Sequence, residues 1–247
     1  MPAYRAAATL RSVYSKIQKQ AIHEMFLIDD SADDATQQEA KTLGIPYFRN
    51  PQNLGYGGNV KKCLETALAL GGDVIVELHP DDQYDPTVIP EALETLARGY
   101  DFVLGSRFLK SGEALGHHMP IWKYVINRLS TIPARMVLQA PLTDFHTGFR
   151  VYHRRFLEQV PFQNNHNDYL FSFEIIAQAC FVGAKMAEVP VICRYYDNVT
   201  QINFRKSMIY GAGVCQVLKE YRAAKRGVLS PVFHRIGKEK SHAYQAM

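Results

Sequence analysis

Apolar and polar positions in the first hundred residues switch repeatedly between two periods. A helical spacing over Ala6 to Gln20 gives way to a short apolar run, Met25 to Ile28, that stops at Asp29-Asp30-Ser31. Helical spacing returns over Asp33 to Leu43, Val60 to Leu70 and Thr87 to Arg98. Between these lie strand-like runs at Pro46 to Phe48, Asp73 to Leu78 and Phe102 to Leu104. Short apolar strands alternating with amphipathic helices predict an α/β fold on a doubly wound, mostly parallel sheet with helices on both faces. Beyond Ser106 the rhythm loosens. A Gly/His loop at Gly112 to Met119 leads to a long helix, Pro120 to Leu138, then a turn-rich stretch to Thr147 and a strand over Phe149 to Tyr152. A helix over Tyr169 to Phe181, a strand over Lys185 to Ile192 and a final helix from Phe204 to Arg226 complete the pattern. With no internal repeat and no low-complexity linker, the chain reads as one domain, 1–218, followed by a basic helix end and tail, 219–247.

Composition narrows the class. At 47% apolar and 21% charged residues the chain can build a sizeable core and shows no disordered, collagenous or coiled-coil bias. Cys63, Cys180, Cys193 and Cys215 form no C-x-x-C pair, so neither a zinc knuckle nor a small disulfide framework is suggested. The most apolar stretch, Ile175 to Ala184, is far short of the roughly 18 residues of a spanning helix. The first residues lack a signal-peptide layout, and the expected location is cytoplasmic. The net charge of +4 divides into −1 over 1–218 and +5 over 219–247. The tail is expected either to rest on an anionic membrane face, making the protein peripheral there, or to be a solvated helix end whose cations suit the C-terminal dipole. Because the charge sits in the tail, nothing points to nucleic acid.

In an open α/β sheet, ligands bind beyond the carboxyl ends of the strands. The polar residues after each predicted strand are Asp29-Asp30, then Asn50 to Asn59 with Gly55, Gly57 and Gly58, then His79 to Gln83, then Ser106-Arg107. Each has a plain alternative. Asp29 to Asp34 could cap the next helix, and the glycines could form a tight turn only, since the full G-x-G-x-x-G is lacking. His79, Asp81 and Gln83 alternate along a turn, so imidazole, carboxylate and amide oxygen are expected to converge on one divalent ion. Oxygen donors suit Mg²⁺ or Mn²⁺, and the nitrogen donor favours Mn²⁺.

Seven segments in order carry a resemblance: Pro2-Ala3-Tyr4, Leu27 to Ser31, Asn53 to Asn59, His79 to Pro86, Gly105-Ser106-Arg107, Asp144 to Arg150 and Asn203 to Ser207. The chain resembles family 2 glycosyltransferases of GT-A type, in the branch similar to dolichyl-phosphate mannose synthase and polyprenyl-phosphate sugar transferases. The resemblance implies inverting transfer of a sugar from a nucleotide-diphosphate sugar to a polyprenyl phosphate or a glycan hydroxyl. It implies that Pro2, Ala3 and Tyr4 with Asp29 or Asp30 hold the nucleoside, and that Asn53 and Gly55 close that pocket. His79 stands where the family has the first aspartate of D-x-D-x-Q, Asp81 takes the second as metal and diphosphate anchor, and Gln83 supports it. Arg107 and Arg150 are implied to bind phosphate or acceptor, and Arg205 and Lys206 to cover the diphosphate. Asp144 is the implied general base if the acceptor is a hydroxyl; a lipid phosphate needs no base, and Asp144 would then orient the sugar. Glu174 is a second acidic candidate, with a surface or capping role as its alternative.

Family members have an apolar strand immediately before Pro-Ala-Tyr. Here Met1 precedes Pro2, so the sheet is expected to lack its first strand, through a late coding start or a truncation. Arg5 replaces the Asn common after Pro-Ala-Tyr. Two competing readings are a non-catalytic glycosyltransferase-like binding subunit, suggested by His79 and the missing strand, and a phosphoacceptor signalling domain, for which residues 120–218 would be surplus.

Overall fold

The computed structural model describes residues 1–110, 113–116, 119–195 and 204–237, with side chains at all of these except 113, 115, 123 and 204–206. Strands β1 (Pro2–Ala3), β2 (Leu27–Asp29) and β3 (Tyr47–Arg49) form a parallel sheet in that order. Strands β4 (Val74–Glu77), β5 (Phe102–Ser106), β6 (Arg150–His153) and β7 (Met186–Pro190) form a second sheet, ordered β4-β6-β5-β7. β6 is antiparallel to both neighbours, whereas β5 and β7 are parallel. The helices are α1 (Ala7–Lys16), α2 (Ala35–Thr42), α3 (Tyr56–Ala69), α4 (Ile89–Ala97), α5 (Glu113–Gly116), α6 (Ile121–Leu138), α7 (Arg154–Leu157), α8 (Phe171–Val182) and α9 (Phe204–Lys225).

The sequence explains where the layers meet. α8 is apolar on nearly every side, the signature of a helix enclosed by protein, and residues 171–179 are all buried. Phe102, Tyr152 and Phe156 stack beside it in the main core, and Val214, Val217, Leu218 and Tyr221 of α9 close that core. A second core packs α4 through Ile89, Ala92 and Leu96 against Val103, Val151 and Val189.

The α/β class with parallel-rich sheets is as expected, but the strands fall into two sheets and β6 enters antiparallel, since periodicity reports strand and helix but not direction or adjacency. β1 consists of Pro2 and Ala3 alone: the Met1 amine donates to Phe26 O at 2.9 Å, Ile28 N to Met1 O and Asp30 N to Ala3 O. Burial lowers the pKa of that amine. A cavity of about 600 Å³ separates Met25 and Phe26 from residues 74–78 of the second sheet, with Met1 at its edge. Finally, the division at 218 falls inside α9, and the following segment packs on the body. Val232 and Phe233 are buried against Phe181 and Tyr221, Gln178 donates to Val232 O, and Ile236 N donates to Gln159 O.

Arg5 occupies a backbone position that suits Asn better. Residue 5 has φ +51, and its N–H donates to Ser31 Oγ at 2.6 Å, so the left-handed turn is fixed by a tertiary bond. Asn tolerates that region better than Arg. Arg5→Asn is expected to stabilise the fold by about 0.5–1 kcal/mol, read as a rise of about 1–4 °C in the thermal midpoint.

Candidate active site

The carboxyl ends of β1, β2, β4 and β5 face one cavity of about 1030 Å³. At one end Pro2, Ala3 and half-exposed Tyr4 form a lip, with the Arg5 guanidinium 5.3 Å from the Tyr4 ring centre. The two carboxylates after β2 do different work. Asp29 is fully buried and off the wall: Oδ1 accepts from Ser31 N and Oγ, and Oδ2 accepts from Tyr47 OH. Asp30 lines the cavity and accepts from Asn50 Nδ2, Leu54 N and Gly55 N at 2.9 Å each, while Asn53 Nδ2 donates to its backbone carbonyl. Asn59 donates to both Ala3 O and Ile28 O, which fixes β1 and β2 to α3 at this end.

The glycines serve close approach. Gly57 N and Gly58 N donate to Asn167 O, so protein satisfies the first amides of α3. A Cβ at Gly57 would lie 2.4 Å from His166 O, and one at Gly55, where φ is +79, would lie 2.6 Å from Asn167 O. Gly55 lines the cavity, whereas Gly57 and Gly58 lie in the first turn of α3. Glu174, expected as a second acidic group of the site, is buried off the wall and accepts from His166 N and Nδ1, holding that same loop.

Below this end the wall is formed by His79, Pro80, Asp81 and Gln83, so all three expected donors face the same cavity. His79 Nε2 lies 3.3 Å from both Glu77 Oε1 and Tyr56 OH, and its ring stacks on Tyr56. No group of three His, Cys, Asp or Glu is placed to hold a metal among the described residues. Asp81 Oδ1 accepts from Gln83 N at 3.1 Å, which sets the turn. Asp82, at φ +59, anchors it to α1 through Lys16 Nζ and Ser12 Oγ.

The two expected arginines also part company. Arg150 is fully buried and off the cavity wall, donating to Thr147 O and facing Glu77, whose carboxylate also takes the Tyr152 hydroxyl. It ties β6 to β4 and does not meet a phosphate. Arg107 is on the wall. Its Nε and Nη2 donate to the two oxygens of Asp144 at 2.7 and 2.8 Å, and Nη1 donates to Tyr195 OH at 3.0 Å. Asp144 is wholly buried, off the wall, and also accepts from Arg107 N and His146 N, so it is not placed to act as a base. Glu188 on β7 accepts from Thr143 N and Asp144 N and thereby fixes the turn that presents Asp144. Arg205 and Lys206 lie, as side chains, outside the described residues. Past Arg107 the wall becomes largely apolar between α6 and α9, with Trp122, Ile126, Pro133, Met208, Val214 and Leu218.

The sequence profile of glycosyl transferase family 2 matches residues 1–160. The chain belongs to that family. Among curated proteins, this glycosyltransferase is 28% identical over 195 residues to a dolichyl-phosphate hexose transferase of Haloferax volcanii, covering 78% of this chain and 80% of that one. It is 26% identical over 201 residues to a dolichol-phosphate mannosyltransferase of Pyrococcus furiosus, covering 77% of this chain but only 54% of the longer protein. Among solved structures, the glucosyl-3-phosphoglycerate synthase of Mycobacterium tuberculosis, in complex with Mn²⁺, UDP-glucose and glycerol 3-phosphate, superposes with a TM-score of 0.67 at 17% identity. That match covers 93% of this chain and 79% of that one. The fold is GT-A.

The glycosyltransferase has several wall residues that periodicity and motif order do not single out. Tyr195 follows the last strand in a stretch without a motif, and Tyr56 lies among the glycines of the Asn53 to Asn59 segment without an assigned role. Tyr210 and Ser130 converge on His146, which sits between Asp144 and Arg150 in a recognised segment without an assigned role. His146 Nε2 lies 2.9 Å from Ser130 Oγ and Nδ1 lies 2.8 Å from Tyr210 OH. Burial would raise the Asp144 carboxyl, but the Arg107 guanidinium outweighs it and holds the group below the ordinary carboxylate value.

Burial lowers His146 from 6.5 to about 4 despite nearby Asp144. Its folded value is depressed, so as pH falls below 6.5 the unfolded chain takes up this proton first. The contribution is therefore complete above that pH and lost progressively toward pH 4. The loss is expected to be on the order of 3 kcal/mol. Urea unfolding at pH 7.5 and pH 4.5 checks this: His146→Asn should show a smaller fall than the parent, and an equal fall would refute the assignment.

Proposed function

We propose that the enzyme transfers a sugar, with inversion at the sugar carbon, from a nucleotide-diphosphate sugar to a polyprenyl phosphate. One observation carries the acceptor: among the described residues the only carboxylates on the cavity wall are Asp30 and Asp81, and neither is free to serve as a general base. Asp30 is consumed by loop N–H groups, and Asp81 is the group best placed for a diphosphate-bound cation. A hydroxyl acceptor needs a base to remove its proton, whereas a phosphate is already a nucleophilic anion. The apolar half of the cavity suits a hydrocarbon tail, and the relatives named for dolichyl phosphate support the same acceptor class.

The residues divide the work along the cavity. Tyr4, Asp30 and Asn53 bind the nucleoside end, with Asn53 and Asp30 coupled so that one positions the other. Asp81 with the Gln83 side chain would hold a divalent cation together with the donor's phosphates, an arrangement that suits an ion bound through one carboxylate and substrate oxygens. Mn²⁺ in the structural relative supports this. The cation would neutralise charge on the departing diphosphate. His79, engaged by Glu77, braces Tyr56 and the strand end. Arg107, its guanidinium oriented by Asp144, aims positive charge at the acceptor phosphate and holds it in line with the sugar carbon.

Thermal unfolding with UDP-, GDP- and other nucleotide sugars, with and without Mn²⁺, tests the donor side. A bound nucleotide at a hundredfold excess over its Kd is expected to raise the midpoint by roughly 5–10 °C. Asp81→Asn should remove the Mn²⁺-dependent part. Incubation with polyprenyl phosphate and labelled donor should give label in the organic phase; label found only on a hydroxyl acceptor would overturn the lipid-phosphate reading. Asp144→Asn, which leaves the buried Arg107 partly unpaired, is expected to destabilise the fold by about 3–5 kcal/mol, read by urea unfolding.

A further inference from the structure

The surface of α6 opposite its packed side is apolar. Ile121, Val125, Leu129, Ile132 and Met136 are all exposed, Ile121 and Met136 at 73%, whereas Thr131, Ala134 and Leu138 on the other face are buried. At 100° per residue the exposed set with Trp122 and Ile126 spans an arc of about 140° and runs about 22 Å along the helix. Such a stripe needs a partner. Met208 and Ile209, at the start of α9, are also exposed.

We propose that α6 is a membrane-docking helix that lies in the plane of an anionic bilayer surface with this stripe in the headgroup boundary. Charge decides the occupant first. Residues 121–138 contain Lys123, Arg128 and Arg135 and no acidic residue, the composition of an interfacial helix. Arg128 and Arg135 fall on one border of the stripe by helical position. Continuity decides it second. Trp122 and Ile126 belong both to this face and to the wall of the cavity's apolar half, so the bilayer boundary and the acceptor end of the site would meet along one helix. Size argues against a second copy of the chain: seven side chains on one helix fall well short of the 20–30 residues a side of a standard interface.

The basic tail is less suited to the role. Lys225 Nζ donates to Phe181 O and sits over the Phe181 and Tyr221 rings, and Arg235 donates to Val182 O, so these cations are turned onto the body. The proposal deepens the lipid-phosphate reading, but its test needs neither donor nor acceptor.

Trp122 is the only tryptophan of the chain and reports directly. Mixing the full chain with phosphatidylglycerol vesicles should shift Trp122 emission to the blue and carry the protein into the floating fraction, with at least tenfold weaker partitioning onto phosphatidylcholine. The triple variant Ile121→Ser, Leu129→Ser, Met136→Ser, whose positions lie off the cavity wall, should lose vesicle binding at least tenfold. It should keep the parent's nucleotide-induced thermal shift. Equal vesicle binding by parent and variant would overturn the proposal, as would absence of binding by the parent. A parent dimer in light scattering that the variant abolishes, without vesicle binding, would assign the face to self-association instead. Vesicle binding without any nucleotide-sugar shift would leave the docking helix standing and remove the proposed assignment of donor and acceptor.

Discussion

The paired grip of Asp144 on Arg107 is the interaction on which the reactive end of the cavity depends. Two parallel bonds under 2.9 Å join groups that are almost wholly out of water, and such a pair is a poor source of net stability once desolvation is counted. What it supplies is direction. A guanidinium held along its Nε–Nη2 edge is fixed in orientation, and here Nη1 donates to Tyr195 OH while the residue lines the cavity. The carboxylate is in turn held by backbone amides of Arg107 and His146, and its turn is fixed by Glu188. β5, β7 and the loop before β6 are thereby referred to one another by charge.

The same device, a carboxylate spent on fixing a loop, recurs around the rim. Asp29 and Asp30 organise the chain after β2, Glu174 holds the loop that meets α3, and Asp82 pins the Asp81 turn to α1. Backbone amides at the ends of short strands have no ladder partner and must find an acceptor. A site made of such ends accordingly uses acidic residues mainly as scaffolding. That scaffolding is why so few carboxylates remain available for chemistry.

Element positions were largely legible from the sequence, since α1 to α4 and β2 to β4 each lie within a few residues of an apolar pattern, whereas β1 has none. Direction was not: the strand at Phe149 to Tyr152 looks the same in either orientation, and β6 proves antiparallel. Motif order located the cavity correctly at the strand ends but could not rank neighbours. Asp29 and Asp30 are adjacent acids with opposite fates, and Arg107 and Arg150 are both arginines of recognised segments, one on the wall and one in the core. Burial separates them, and burial is set by contacts far away in sequence. The engagement of Asp144 by Arg107 is hidden for the same reason, because the partner lies 37 positions earlier. Residues such as Tyr195 and Tyr210 carry no local signal at all.

The cavity joins two environments that ordinarily exclude each other. One half is lined by polar side chains such as Asp30, Asn53, Asn59, Asp81 and Gln83 that suit a charged, hydrated ligand, and the other half is lined by side chains of α6 and α9 that favour hydrocarbon. Arg107, Tyr195 and His146 occupy the seam. His146 is kept neutral there by burial, so it adds no charge to compete with Arg107, and each of its ring nitrogens is engaged by a hydroxyl. A phosphate brought to that seam on an apolar tail would meet a cation in a poorly screened setting, where the attraction is stronger than in water. With the proposed lipid-phosphate acceptor, the junction of the two halves is where an anionic nucleophile would be held close to a sugar carbon without a proton having to move.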